Sequence, residues 1–188
     1  MGTRPRRIAL VCMTPDTDTN EHGSMELPSY GIQRILASTI ADPALQDAQV
    51  GLIDVGKPDS DAYLNALLQF EPDLIGMSIY VWSTPCLVEV ARRFKNRRPD
   101  CPIVFGGPSA RTALFDLRPY APAHRCLDAV VSSNGEDIFR EIATLPALSR
   151  AALETVKGLH LPTPAGWKHT GHRTPAPLDI LASPYQIG

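Results

Sequence analysis

The sequence lacks a dominant charge of either sign, and it lacks any long apolar run. Its 188 residues include 18 basic and 20 acidic side chains, which gives a formal net charge of −2, and the two signs are mixed along the chain. Proteins that bind nucleic acids or anionic membranes concentrate basic residues on one surface, so we expect neither partner here. No stretch is apolar for long enough to predict a signal peptide or a membrane span.

Closely spaced cysteines are also missing. The four cysteines are scattered along the chain, at Cys12, Cys86, Cys101 and Cys126. No pair has the spacing of a zinc or iron–sulfur site, so we predict no metal ligands among them. The pattern favours buried or free thiols in a reducing compartment, and we therefore predict a cytoplasmic protein. Four of the five histidines show no spacing typical of metal ligands and are interpreted as surface residues: His124, His160, His169 and His172.

Short apolar runs rich in β-branched residues alternate with segments whose apolar residues recur at helical spacing. The runs lie at 7–13, 49–55, 73–82, 103–108 and 127–132, and the helical segments at 27–37, 62–70, 88–94, 111–117 and 137–142. Such alternation predicts a parallel sheet with right-handed crossovers. The predicted fold is therefore α/β, flavodoxin-like (Rossmann-type), with a five-stranded parallel sheet, flanking helices and strand order 2-1-3-4-5.

The composition changes after about Pro146. Residues 1–146 are predicted to form the folded domain, and residues 147–188 to form an extension or linker. One short extra strand is expected at 158–161. The stretch 162–177 is rich in Pro, Gly, Thr and His, which is typical of an extended linker. The sequence reads as a piece of a longer protein.

In an open α/β sheet, ligands bind outside the carboxyl ends of the strands. A flavin phosphate would meet threonine hydroxyls after the first strand, but Asp16 and Asp18 among them would repel it. A phospho-acceptor receiver domain needs a carboxylate after the third strand, where this chain has Trp82. A dinucleotide-binding fold needs G-x-G-x-x-G after the first strand, and the sequence has none. These three ligand classes are poor fits.

Cobalamin fits this carboxyl edge of the sheet, here called the rim, better than the three other ligand classes do. Its nucleotide tail must enter the sheet between loops, which requires a small hydroxyl side chain on one strand and missing side chains on the next. Ser78 can hydrogen-bond the buried base, and Gly106 and Gly107 let the backbone approach it closely. We therefore expect these three residues to hold the tail.

These motifs resemble a known family. The spacing from Ser78 to Gly106-Gly107 looks like the S-x-L…GG half of the cobalamin-binding signature. Together with 128–139 and 178–185, it is similar to the N-terminal domain of cobalamin-dependent radical S-adenosylmethionine (SAM) enzymes. The resemblance covers most of residues 6–188. It implies the following cofactor-binding residues: Thr14, Pro15, Ser78, Tyr80, Val81, Trp82, Gly106, Gly107, Pro108, Ser132, Asn134, Gly135 and Glu136.

The first loop departs from the histidine-ligating class of cobalamin proteins. That class carries D-x-H-x-x-G, whereas residues 18–23 keep the Asp and the Gly but have Asn20 in place of the histidine. His22 lies two positions away and is interpreted as a loop residue. The resemblance therefore implies base-off binding, with Tyr80, Val81 or Trp82 covering the lower face of cobalt. The alternative interpretation of Trp82 is a core aromatic residue at the end of a strand.

The resemblance implies a domain that binds cobalamin without a histidine lower ligand, within an enzyme that methylates its substrate through methylcobalamin. The C-x-x-x-C-x-x-C motif for a [4Fe–4S] cluster is missing from the sequence. SAM and the cluster are therefore expected in a separate radical SAM domain of the parent protein, and this chain is expected to catalyse nothing alone. The alternatives are a flavodoxin-like FMN electron carrier and a ligand-free regulatory or interaction domain.

Overall fold

The computed structural model describes residues 4–14, 29–175, 177 and 182–185, which build one mixed sheet with helices on both faces. The strands are β1 (Arg7–Cys12), β2 (Gln49–Asp54), β3 (Leu74–Ser78), β4 (Ile103–Gly106), β5 (Ala129–Val131), β6 (Leu159–Thr163) and β7 (Gly166–His169). The α-helices are α1 (Tyr30–Ile40), α2 (Ser60–Phe70), α3 (Thr84–Lys95), α4 (Thr112–Phe115), α5 (Gly135–Thr144) and α6 (Arg150–Leu153). Short 3₁₀ turns cover Pro43–Leu45 and Ala121–Arg125.

The sheet order is β2-β1-β3-β4-β5-β6-β7, and β1 to β5 are all parallel. The predicted fold class and the order 2-1-3-4-5 are therefore confirmed. The reversal of strand order lies at β1 and β3, in which every residue except Arg7 is buried. Both are almost continuously apolar, as expected for strands covered on both faces.

Two apolar cores lie on opposite faces of the sheet because successive strand residues point to opposite sides. One core packs α2 and α3 against side chains such as Val11 and Met77, and the other packs α1 and α5 against side chains such as Leu10 and Val104. Helices α1 and α5 are direct neighbours on the second face. This seam between α1 and α5 ends at the carboxyl edge of the strands.

The end of the chain departs from the predicted linker. The expected strand near 158–161 is present as β6, but β7 lies inside the stretch 162–177 and pairs with β6 in an antiparallel hairpin. The linker prediction was therefore wrong for β7. The linker was predicted partly because of Pro162, since proline usually interrupts strands. In the structure, β6 pairs with β5 only through Leu159 and His160, so Pro162 lies beyond that ladder and its missing N–H leaves no gap there.

Among the described residues, no helix combines the length and the apolar character needed to cross a membrane.

Candidate functional site

A cavity of about 370 Å³ opens at the carboxyl edge of β3, β4 and β5. We call it the outer cavity. Its wall combines loop residues after all three strands with the first turn of α1 and the start of α5. It is lined by Gly31, Ile35, Ser78, Tyr80, Gly107, Pro108, Ala110, Arg111, Val131, Ser132, Ser133, Asn134, Gly135 and Glu136. The three separate loops predicted from the sequence are thus brought together.

A narrow apolar space lies next to the outer cavity, in the seam between α1, α5 and the sheet. We call it the slot, and its volume is about 20 Å³. The two spaces are adjacent and share part of their walls, at Ile35, Ser78, Val131 and Gly135. The slot is further lined by Leu10, Ile32, Gly76, Met77, Val104, Gly106 and Phe139. Ser78, which is 5% exposed, is therefore positioned where the polar and the apolar space meet.

Gly106 and Gly107 lack side chains for different reasons. A Cβ on Gly106 would meet only the Cβ of Val131, at 3.9 Å, so the space beside it is open. A Cβ on Gly107 would lie 2.8 Å from the main-chain nitrogen of Ile79, and φ at Gly107 is +94°. Only glycine readily adopts that conformation in so close an approach. Gly106 therefore leaves the space beside β4 unfilled, whereas the conformation of the turn requires glycine at position 107.

Gly76 has a third role that the sequence analysis missed. It lies in the middle of β3, and a Cβ there would come within 2.5 Å of Cε2 of Phe139. The ring of Phe139, which projects from α5 and is 3% exposed, therefore rests directly on the β3 backbone. Phe139 forms the floor of the slot. A glycine inside an otherwise apolar strand is the signal that could have indicated this close contact.

The start of α5 forms one wall of both cavities. Asn134 is the residue before the helix, and its side chain does not cap the helix. Glu136 in the first turn forms an ion pair with Arg34 of α1, with 3.1 Å between Oε1 and Nε. The pair lacks the alignment of a hydrogen bond, since Arg34 Nε is buried without a hydrogen-bond partner among the described residues. The predicted site residue Glu136 thus ties the two helices of the seam together.

Ser132 also lines the outer cavity, but its hydroxyl is already used. It donates a hydrogen bond of 2.8 Å to the carbonyl oxygen of Gly158, just before β6. This contact fixes the loop after β5 to the antiparallel strand. Ser132 therefore shapes the wall of the cavity, while its neighbour Ser133, which was not predicted, adds a further residue to the wall.

The turn after β3 carries two stacked aromatic side chains. The rings of Tyr80 and Trp82 are 4.7 Å apart and inclined by 17°. The indole N–H of Trp82 donates to the carbonyl oxygen of Met13 at 3.1 Å, which fixes the stack to the end of β1. Tyr80 lines the outer cavity, whereas Trp82 and Val81 are not in its wall. Trp82 is 47% exposed and Val81 is 74% exposed, so neither is a core residue.

Thr14 follows β1 and is held by Asp54 at the end of β2. The hydroxyl of Thr14 donates to the carboxylate of Asp54 at 2.5 Å, and its amide points to the same carboxylate. Burial alone would raise the pKa of Asp54, but hydrogen bonds from Thr14, Gly56 and Cys12 together lower it. The predicted site residue Pro15 and the loop residues Asn20 and His22 lie outside the described residues.

The described cysteines are buried, whereas three of the described histidines lie close together. All four cysteines are buried, and burial raises the pKa of Cys86 to about 11 and of Cys126 to about 12. His160 and His169 lie next to one another on the β6–β7 hairpin, and His172 follows the hairpin beside His169, which their sequence spacing did not indicate. No group of three metal-ligating side chains is found within the described ranges.

Comparison with known proteins gives a consistent picture. Residues 31–143 match the family described as the B12 binding domain. Over 72 residues the chain is 35% identical to the 2-(S-pantetheinyl)-carbapenam-3-carboxylate methyltransferase of Streptantibioticus cattleyicolor, which covers 38% of this chain and 10% of that protein. Over 123 residues it is 29% identical to the cobalamin-dependent radical SAM methyltransferase TokK of Streptomyces tokunonensis, which covers 63% and 17%. The chain spans only a small part of either relative.

Solved structures share the fold. The cobalamin-dependent S-adenosylmethionine radical enzyme OxsB, with aqua-cobalamin and S-adenosylmethionine bound, superposes with a TM-score of 0.62 at 19% identity, covering 91% of this chain and 23% of that chain. The apo, selenomethionine-labelled OxsB gives 0.64 at 17% identity, covering 95% and 23%. The arrangement of strands and helices is therefore one already seen in a larger enzyme.

Proposed function

This chain belongs to the B12 binding domain family, and on that premise we propose that its rim binds cobalamin base-off, with the nucleotide tail in the slot. We further propose that it does so as the cobalamin-binding domain of a radical SAM enzyme that methylates its substrate. The observation that carries the proposal is the open space at Gly106 in the slot, next to the outer cavity, with Ser78 in the wall of both.

The chemistry of the two cavities fits the two ends of such a tail. The outer cavity presents hydroxyl and amide side chains together with Arg111, which suits a ribose and a phosphodiester. The slot is almost entirely apolar, which suits a flat aromatic base. Ser78 lies between them, where its hydroxyl can hydrogen-bond a ring nitrogen of the base.

The slot must widen to take a base. A volume of about 20 Å³ holds no more than one water molecule, whereas a cavity of about 150 Å³ accepts a benzene ring. The side chains that would have to yield are Ile35 of α1 and Phe139 of α5, which close the slot from its two sides. The ion pair between Arg34 and Glu136 spans the same seam. We therefore expect α1 and α5 to separate when cobalamin binds.

The aromatic pair after β3 is the best candidate to cover the lower face of cobalt. Asn20 takes the place of the ligating histidine in the first loop, so the sequence offers no nitrogen ligand at that position. Tyr80 lines the outer cavity and is stacked on Trp82, which is anchored to Met13. We propose that this stack lies against the lower face without ligating the metal.

Bound cobalamin supplies a carrier that passes a methyl group from SAM to a substrate. The residues of this chain bind the carrier, hold its base away from cobalt and exclude water from the tail. The named relatives are methyltransferases, and this chain matches 10% and 17% of their lengths. We propose that SAM and a [4Fe–4S] cluster are bound by a radical SAM domain of the same parent protein, beyond residues 147–188.

The test compares two corrinoids. The purified chain is mixed with hydroxocobalamin or with cobinamide, which lacks the nucleotide tail, then desalted and examined by absorption spectroscopy. We expect cobalamin to be retained with a base-off spectrum and cobinamide to be lost. A colourless protein after both treatments would overturn the proposal, and a yellow protein with a flavin spectrum would favour an electron carrier instead.

A further inference from the structure

The slot contains almost no polar group that could satisfy a polar base. Of the residues that line it, only Ser78 has a polar side chain. The main chains of β3 and β4 beside it are paired in the parallel ladder, and the Gly106 carbonyl oxygen accepts from the amide of Ile79 at 2.7 Å. A ligand in the slot therefore finds one hydroxyl and otherwise hydrocarbon.

Corrinoids differ in the base that their nucleotide carries, which is either a benzimidazole or a purine such as adenine. From the lining of the slot we infer that this chain selects corrinoids with a benzimidazole base over those with a purine base. The inference rests on the proposed function, because it assumes that the tail enters the slot. It goes further by naming the chemical class of base that the slot accepts.

The physical reason is the number of polar atoms that each base buries. A benzimidazole has one ring nitrogen free to accept a hydrogen bond, and the hydroxyl of Ser78 can donate to it. Adenine has the same kind of nitrogen but also an amino group and two further ring nitrogens. Buried against Leu10, Val104 and Phe139, these groups would lose water without gaining partners.

The methyl groups of dimethylbenzimidazole add to the preference. They would lie against the same apolar side chains, and each methyl group buried in this way strengthens binding roughly fourfold. Each unsatisfied polar group weakens binding by at least about fivefold, and adenine would bury three of them. We therefore expect affinity to fall from the dimethylbenzimidazole to the unsubstituted benzimidazole corrinoid, and to fall further for the adenine corrinoid.

The experiment measures dissociation constants for cobalamin, benzimidazolylcobamide and adeninylcobamide by quenching of tryptophan fluorescence. We expect adeninylcobamide to bind at least tenfold more weakly than cobalamin. Adenine coordinates cobalt less tightly than dimethylbenzimidazole does, so releasing it from cobalt is easier and any bias from that step opposes the expected result. Equal affinities would overturn the inference and leave the proposed function intact, whereas failure of all three corrinoids to bind would overturn both.

A pair of adjacent valines provides the matched control. Val131 of β5 lines the slot, whereas Val130 lies on the opposite face of the sheet in the other core. We expect Val131→Thr, which places a hydroxyl beside the base, to reduce the preference against adenine severalfold. Val130→Thr introduces the same group elsewhere and is expected to leave the preference unchanged. An unchanged preference in Val131→Thr, or an equal change in both variants, would overturn the role of the slot lining.

Discussion

The two adjacent glycines after β4 allow folding and cofactor binding to be separated by substitution. Gly106 has open space at the position of a Cβ, so we expect Gly106→Ala to fold with a stability within about 1 kcal/mol of wild type. The larger side chain of Gly106→Leu must displace neighbouring side chains of the narrow slot, at a cost of about 1–3 kcal/mol. The leucine side chain would occupy the slot itself. We therefore expect Gly106→Leu to lose cobalamin and Gly106→Ala to retain most of it.

Gly107→Ala is expected to fail in the opposite way. A positive φ in a residue with a side chain costs about 1–3 kcal/mol, and φ at Gly107 is +94°. The new Cβ would also press on the amide of Ile79, whose hydrogen bond to Gly106 contributes about 1 kcal/mol. Together these effects predict a loss of about 2–4 kcal/mol. At roughly 2–4 °C per kcal/mol, the melting temperature would fall by roughly 4–16 °C.

Urea unfolding followed by circular dichroism measures the stability of each variant, and retention of hydroxocobalamin after desalting measures its cofactor binding. The variants should give a crossed pattern: Gly107→Ala is less stable than Gly106→Ala, whereas Gly106→Leu folds but cannot hold the cofactor. Equal stability of Gly106→Ala and Gly107→Ala would refute the steric reasoning. Full retention of cobalamin by Gly106→Leu would refute the assignment of the tail to the slot.

Three further substitutions test neighbouring parts of the site and the hairpin. Trp82→Ala should change the absorption and electron paramagnetic resonance spectra of bound cob(II)alamin more than His22→Ala does, and the reverse ranking would favour a histidine ligand. The double variant Arg34→Gln with Glu136→Gln removes the ion pair across the seam and should speed cobalamin association in stopped-flow mixing; an unchanged rate would show that the pair does not hold the slot closed. Burial and the neighbouring His169 lower the pKa of His160 in the folded protein below its ordinary value of 6.5. The unfolded chain therefore takes up a proton before the folded protein does, and the free energy of unfolding should decrease as pH falls through about 6.5. The urea midpoint should therefore fall less between pH 7.5 and pH 5.5 in His160→Asn than in wild type, and identical shifts would contradict this.

Much of the fold was predictable because its signals are local. Buried parallel strands appear as apolar runs, and the helices between them show their own spacing, so the order of β1 to β5 followed from general rules of topology. The β6–β7 hairpin could not be predicted in the same way, because Pro162 and Gly166 are typical of linkers. Strand β7 also pairs only with β6, so its formation depends on a strand that the sheet already holds. The clustering of His160 with His169 follows from the same pairing.

Several of the predicted site residues lie together because parallel strands end at one edge. Ser78, Gly107 and Asn134 are far apart in the sequence but line one cavity. The sequence analysis missed the residues contributed by helix packing, such as Ile35 and Phe139. Nothing in their local sequence distinguishes them from other core residues, since their position over the slot depends on how α1 and α5 pack.

By itself the sequence determined the class of the fold, the strand order and the edge of the sheet at which the predicted site residues meet, since hydrophobic patterning and glycine positions act over a few residues. Only the tertiary structure decided that Gly106 borders open space while Gly107 is held against Ile79. It also decided that the slot is apolar and narrow. The physical reason is that the size and polarity of a cavity depend on side chains from separate elements, and their distances are set when two helices pack on one sheet.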